Sequence, residues 1–238
     1  MRVLIVTPTY NEQDNIAAFV EAVRRVAPQA AIVIVDDNSP DGTGAIADRI
    51  AARDANVSVM HRPRRLGLGT AYVEAFREGL KKDFDVFCEM DADLSHDPKY
   101  LPSFFAALQE GADVVVGSRN VPGGAVEGWG PLRHLVSKGG SLYSRAILQV
   151  PVQDLTTGFK AFTRKALTRI DLEAVRSNGY SFQIEMTYRA LRAGLKVVEV
   201  PIVFVDRRAG HSKMSRRIVV EAVGVVWRLR LDALRGRL

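Results

Sequence analysis

Asp91 and Asp93 stand one residue apart at the end of an apolar run, in the stretch FCEMDADLSH from Phe87 to His96. In an extended chain, side chains at i and i+2 share a face, so this spacing aims both carboxylates at one spot past a strand end. Two such charges about 5 Å apart repel by roughly 3 kcal/mol at an effective dielectric near 20. A hard divalent cation, Mg²⁺ or Mn²⁺, reverses that cost by taking oxygen ligands from both, and a diphosphate commonly completes its shell. An Asp-x-Asp pair alone is common in solvated loops. It gains weight only if other elements deliver polar residues to the same place.

The first half of the chain supplies such elements. Short apolar runs alternate with helical patterns, as a βαβ protein requires, so the expected class is α/β with a mostly parallel sheet flanked by helices. Val3 to Thr7, Ala31 to Val35, Val57 to Met60, the run carrying Cys88, and Asp113 to Val116 read as strands. Asn11 is placed to cap a helix reaching about Ala27, whose Ile16, Phe19, Val20 and Val23 recur at helical steps. Ser39-Pro40 is placed to start a second helix ending near Arg53. Two more run from about Gly69 to Lys82 and from Lys99 to Gln109. Polar segments Pro8 to Glu12, Asp36 to Asn38 and Asp91 to Ser95 follow three of the strands. Ligands of open α/β sheets sit at that carboxyl edge, so three strand ends point at one cleft.

After Gly117 the pattern changes. Residues 120 to 131 (NVPGGAVEGWGP) are rich in Gly and Pro and read as a loop long enough to act as a mobile lid. A helix from about Leu132 to Leu148 follows, then a loop and strand over Asp154 to Thr163, a helix over Ser181 to Ala193, and a strand over Lys196 to Val205. The last helix, about Ser215 to Leu234, places Val219, Val223, Val226, Trp227, Leu231 and Leu234 roughly on one side with arginines flanking. Such a helix suits an anionic bilayer surface, its own domain, or a separate membrane protein.

With 238 residues, 47% of them hydrophobic, and no linker or repeat, the expectation is one domain over 1–238. The single cysteine, Cys88, excludes a disulfide framework and reads as a buried hydrophobe in a reducing compartment. The opening apolar run stops at Pro8, too short for a secretory signal, and no apolar stretch approaches the roughly 20 residues of a membrane span. The net charge of +6, with arginines clustered at Arg62, Arg64, Arg65, Arg207 and Arg208, implies an anionic partner. Interleaved aromatics of a single-strand stacking platform are missing, which argues against nucleic acid. The turn after the first strand, Thr7 to Glu12, has no glycine, which argues against a dinucleotide fold. Gly67-Leu68-Gly69 reads as flexible backbone at a helix start. No P-loop, nucleophile elbow or metal-spaced Cys/His set occurs, and His61, His96, His134 and His211 are scattered.

TPTYNE (Thr7 to Glu12), VDDNSPDGT (Val35 to Thr43), RLGLGTAY (Arg65 to Tyr72), MDADLSHDP (Met90 to Pro98), GSR (Gly117 to Arg119), DLTTGF (Asp154 to Phe159), YSFQIEM (Tyr180 to Met186) and VDRRAGHSK (Val205 to Lys213) occur in that order. Together they resemble the polyprenol (dolichol) phosphate mannose synthases, inverting family-two glycosyltransferases of GT-A fold. The resemblance implies that Pro8, Tyr10, Glu12, Val35 and Asp37 hold the base and ribose of a sugar nucleotide. It implies that Asp91, the backbone of Ala92, and Asp93 hold Mg²⁺ or Mn²⁺ and through it the diphosphate. Arg207 and Lys213 would close over the phosphates, and Arg119 and Arg133 would bind the acceptor phosphate. Asp154 would organise the loop near the donor sugar or acceptor.

The activity so implied is transfer of mannose from GDP-mannose to a polyprenyl phosphate with inversion, at the inner face of a membrane, by a peripheral cytoplasmic protein. A UDP-glucose-dependent polyprenyl-phosphate glucosyltransferase and a non-catalytic sugar-nucleotide-binding protein are the alternatives. The chemistry suits these residues: charge builds on the leaving diphosphate, where a cation and Arg/Lys donors stabilise it. A phosphate acceptor, with a second pKa near 6, is already largely anionic at pH 7 and needs no protein base.

Overall fold

A computed structural model describes residues 1–206 and 216–238. Along the chain lie β1 (Val3–Thr9), α1 (Ile16–Val26), β2 (Ala31–Asp36), α2 (Thr43–Ala51), β3 (Val57–His61), α3 (Leu68–Leu80), β4 (Val86–Glu89), α4 (Leu101–Gln109), β5 (Val114–Ser118) and β6 (Ala125–Glu127). They are followed by α5 (Pro131–Leu148), β7 (Lys160–Thr163), α6 (Arg164–Arg169), α7 (Gly179–Arg192), β8 (Val197–Pro201), β9 (Val203–Val205) and α8 (Arg216–Leu234). Among the described residues the main sheet has the order β3-β2-β1-β4-β7-β5-β8, with β7 antiparallel to both neighbours and every other pairing parallel.

The strands are apolar on both faces because helices cover both. Ile5, Ile32, Ile34 and Cys88 face one way onto Phe19, Val23 and Phe104 of α1 and α4. Leu4, Val6, Val33, Val35 and Phe87 face the other way onto Tyr72, Phe76 and Phe182 of α3 and α7. Tyr72 and Phe182 stack at 5.7 Å with their planes 5° apart, which ties α7 to α3. A third cluster joins α5, α7 and α8 through Leu148, Ile184, Tyr188, Val226 and Leu229. Cys88 is fully buried and burial pushes its thiol well up, so it is an inert core residue.

Four sequence expectations need correction. Asn11 does not cap α1: it sits at φ 61 in the turn after β1, and the Glu12 carbonyl receives the N–H groups of Asn15 and Ile16. Ser39 does not start α2, because its N–H and hydroxyl both donate to Asp36 and hold it against the end of β2; Asp41 receives the Thr43 N–H instead. The stretch Lys196 to Val205 is two strands, broken where buried Ile202 donates its N–H to Ser118. Finally, the Gly/Pro-rich segment 120–131 contains β6, which pairs in parallel with β9 and so is tied to the fold rather than hanging as a lid.

Parallel register aligns the carboxyl ends of β1, β2 and β4. Pro8 lies beside Val35, Val6 beside Glu89, and the Asp37 N–H donates to the Thr9 carbonyl at 3.0 Å. The polar segments following those strands are thereby gathered at one edge.

Candidate active site

The strand β4 stops at Glu89, so Asp91 and Asp93 are not presented by an extended strand as their spacing suggests. They lie in a turn in which Leu94 takes φ 58. They nonetheless border the same two cavities. Local bonds explain the convergence: the Ser95 N–H donates to Asp93 Oδ1 at 3.0 Å, and the Tyr72 hydroxyl donates to Asp91 Oδ1 at 3.4 Å. Gly158 packs so tightly on Asp91 that a Cβ there would sit 3.2 Å from Oδ2. Among the described residues no third His, Cys, Asp or Glu joins them in a metal-holding group. Two hard carboxylates bordering the same cavities suit Mg²⁺ or Mn²⁺, which keep water and substrate phosphate in their shells.

The larger cavity, about 550 Å³, runs from these carboxylates along the strand ends. Pro8, Tyr10, Glu12, Asp37 and Ala92 all line it. Val35 does not: its side chain is fully buried in the sheet, where it supports the wall from behind. Asp37 is held by Arg62, whose Nε donates at 2.6 Å, and by the N–H groups of Leu66 and Gly67 at 3.2 and 3.0 Å. Gly67 is no flexible hinge. It sits at φ +100, and a Cβ on it would fall 2.1 Å from the Asn178 side chain, whose Oδ1 receives the Gly69 N–H. The Arg65 guanidinium lies 4.4 Å over the Tyr10 ring, giving this wall a flat cationic face. In the sequence Arg62 stands only within a basic cluster, and Arg65 only there and at the start of RLGLGTAY, with nothing to mark either for these contacts.

A smaller cavity of about 150 Å³ shares Asp91, Asp93, Thr156, Gly158 and Tyr180 with the first. Arg119 and Arg133 border it, as does Trp129. Arg119 is only 7% exposed and forks onto Asp154 through Nε and one terminal nitrogen at 2.7 and 2.8 Å, the latter also reaching Thr156 Oγ1 at 2.9 Å. Burial alone would raise the Asp154 pKa, but the Arg119 charge and hydrogen bonds overcome it and hold the carboxyl below its ordinary value. Asp154 is wholly buried and borders neither cavity. Through those bonds it holds the Arg119 guanidinium in place. Arg133 pairs with Asp206 at 2.6 Å and stacks 4.3 Å over Trp129, with Arg119 5.7 Å from the same ring. Trp129 was hidden inside a glycine-rich segment.

His96 lies between Phe159 and Phe204 with neither ring nitrogen bonded; burial pushes it down to about 4, so it is neutral at pH 7. Behind the carboxylates, Glu89 and Lys160 face each other across β4 and β7, both fully buried. Burial brings Glu89 up to about 7 and Lys160 down to about 8, each opposed by the other's field. Lys160 donates to the backbone and side-chain oxygens of Gln183 at 2.7 and 2.8 Å. Arg207 and Lys213 lie outside the described residues.

Comparison with known proteins agrees with this geometry. The family profile for glycosyl transferase family 2 matches residues 4–171. The undecaprenyl-phosphate mannosyltransferase of Micrococcus luteus is 48% identical over 242 residues, covering 100% of this chain and 99% of that one. The polyprenol monophosphomannose synthase of Mycolicibacterium smegmatis is 48% identical over 240 residues, 99% of this chain and 91% of that one. Among solved structures, glucosyl-3-phosphoglycerate synthase from Mycobacterium tuberculosis with Mn²⁺, UDP-glucose and phosphoglyceric acid superposes with TM-score 0.67 at 18% identity, over 96% of this chain and 79% of that one. The mannosyltransferase PcManGT from Pyrobaculum calidifontis, with GDP-Man and Mn²⁺, gives TM-score 0.60 at 16% identity, over 99% and 74%. The sheet order, the carboxylates beyond β4 and the full-length identity lead to one conclusion: this chain belongs to glycosyl transferase family 2 and has the GT-A fold.

Proposed function

We propose that the protein transfers mannose from GDP-mannose to a polyprenyl phosphate, with inversion, acting as one catalytic domain at the cytosolic face of a membrane. The observation that carries the reading is the meeting of two unlike cavities at one pair of carboxylates. The larger mixes apolar lining with the carboxylates of Glu12, Asp37, Asp91 and Asp93; the smaller has a more strongly apolar lining with Arg119 and Arg133 on its wall. That is the layout needed for a sugar nucleotide on one side and a lipid phosphate on the other.

In this reading the stacked Tyr10–Arg65 pair borders the base, while Asp37, fixed by Arg62, and Glu12 address the base and ribose. Asp91 and Asp93 would hold Mg²⁺ or Mn²⁺, which would supply positive charge to stabilise the leaving diphosphate. Arg119, aimed by Asp154, and Arg133, braced by Trp129, orient the acceptor phosphate so that one oxygen faces C1 of the sugar. The nucleophile arrives anionic, so the site needs no base. The one late carboxylate that might have served, Asp154, is sealed from both cavities.

The lipid side is supported by exposed apolar residues on two neighbouring helices: Leu135 and Leu142 on α5, and Val223, Trp227, Leu231 and Leu234 on α8. Val226, expected beside Trp227, instead faces inward with Leu229. So α8 packs on the domain with one face and leaves the other for a bilayer surface. No helix among the described residues is long and apolar enough to cross a membrane. The test is an assay of purified protein with Mg²⁺ or Mn²⁺ and a panel of GDP- and UDP-sugars, with and without polyprenyl phosphate. Lipid-dependent consumption of GDP-mannose alone is expected; preference for UDP-glucose, or turnover indifferent to the lipid, would contradict the assignment.

A further inference from the structure

A third cavity of about 430 Å³ lies along a neighbouring face of α5, about 100° around the helix from the reaction cavity, with Arg119 on the wall between them. Helical spacing separates the two faces: Ser137, Gly140 and Ser144 turn toward the smaller reaction cavity, while Lys138, Ser141 and Arg145 turn toward this one. Its far wall is the segment after Arg119, including Asn120 and Gly124, together with Gln153.

Two polar atoms here lack partners. Ser141 is 3% exposed and its hydroxyl makes no hydrogen bond, and the Arg145 Nε is buried without an acceptor. Leaving a buried donor unpaired is costly, so an acceptor belongs in this space. The cationic lining selects its kind. Lys138 and Arg145 border the cavity, together with Arg119, which is already committed to Asp154, and among the described residues no carboxylate does. The acidic groups packed nearby are spent: Asp154 is paired with Arg119, and Glu199 receives the N–H groups of Gln153 and Asp154 at 2.8 and 2.9 Å.

We propose that this cavity is a second phosphate-class anion site, in which Lys138, Ser141 and Arg145 ligate a phosphate or phosphodiester group distinct from the donor and acceptor phosphates. The missing acceptor is then a phosphate oxygen, which takes charge-assisted bonds from Arg145 and Lys138 and the hydroxyl proton of Ser141. Leu142, 65% exposed and also on the rim, would lie alongside the tail of a membrane phospholipid if the phosphate belongs to one. The site is independent of which sugar or lipid the enzyme uses.

The test measures binding and not turnover. The full-length protein is titrated with inorganic phosphate at constant ionic strength, and separately floated with phosphatidylcholine vesicles with or without phosphatidylglycerol. Lys138→Gln, Ser141→Ala and Arg145→Gln are compared with wild type, and Arg133→Gln serves as the control for the other cavity. The expected result is a loss of affinity of about tenfold for Arg145→Gln, less for the other two, and none attributable to this site for Arg133→Gln. Weakened phosphate titration identifies the free anion as a ligand; weakening confined to phosphatidylglycerol vesicles identifies a lipid headgroup. Unchanged binding of both probes in Lys138→Gln, whose exposed side chain can change without threatening the fold, overturns the proposal and leaves the cavity to water.

Discussion

Around Tyr10 and Asp37 the wall of the site is made by strand ends and backbone donors; around Trp129 and Arg133 it is made by long side chains leaning on one another. Asp37 accepts from the N–H groups of Leu66 and Gly67 as well as from Arg62, so its position has several independent supports. Arg119 hangs chiefly on Asp154, and Arg133 on Asp206 and the Trp129 ring. The nucleotide side is thus fixed by the sheet, while the acceptor side is fixed by a few ion pairs and ring contacts. A fixed diphosphate site beside a more adjustable one suits a reaction whose second substrate must enter from a lipid phase.

That contrast can be broken in order of expected size. Asp91→Asn, at the point the two sides share, should lower sugar transfer by about a thousandfold or more while leaving the unfolding midpoint nearly unchanged. Steady-state turnover at saturating Mn²⁺ checks it. Asp154→Ala leaves the buried Arg119 charge unpaired and should cost about 3–5 kcal/mol in urea unfolding. On the other side Arg62→Gln should cost less, about 1–3 kcal/mol, because Asp37 keeps its backbone donors. Equal losses at the two positions would erase the distinction between the walls. Trp129→Ala should raise the KM for polyprenyl phosphate by about three- to thirtyfold, with the KM for GDP-mannose little changed. A donor-side effect of the same size would place Trp129 wrongly.

The smallest effect is in pH. Asp154 has a depressed pKa in the folded state, so its contribution to stability is complete above the unfolded value near 4 and is lost as pH falls through the lower folded value. The stability gap between wild type and Asp154→Asn should therefore shrink in acid as pH falls through the folded Asp154 value, while any change between about pH 7 and 8 belongs to Lys160, whose ammonium the Asp154 charge helps to hold protonated. Unfolding curves from about pH 3 to 9 decide it; a gap that persists undiminished in strong acid would contradict the assignment.

The same contrast explains what could be read from the sequence. Strands β1 to β5 announce themselves by apolar runs, and the polar residues that follow them fall at one edge because parallel register leaves little choice. The segments Pro8 to Glu12, Asp36 to Asn38 and Asp91 to Ser95 were accordingly legible by position as borders of one cavity, whereas Pro8, Tyr10, Glu12 and Asp37 are singled out within them only by the family resemblance. Helix starts were misread because side chains bonded elsewhere: Ser39 serves Asp36 rather than capping α2. The antiparallel insertion of β7 between β4 and β5 has no local signal, so the facing of Glu89 and Lys160 was invisible. Trp129 and the β6–β9 pairing were likewise missed, since glycines and prolines mark where a chain bends but not what it meets afterwards.

The most direct measurement is anomalous diffraction at the manganese edge from crystals grown with GDP-mannose and MnCl₂. A peak bridging Asp91 and Asp93 to the nucleotide diphosphate, with the base beside Tyr10, is what the shared-carboxylate arrangement requires. Nucleotide bound in the larger cavity with manganese absent from both carboxylates would contradict it.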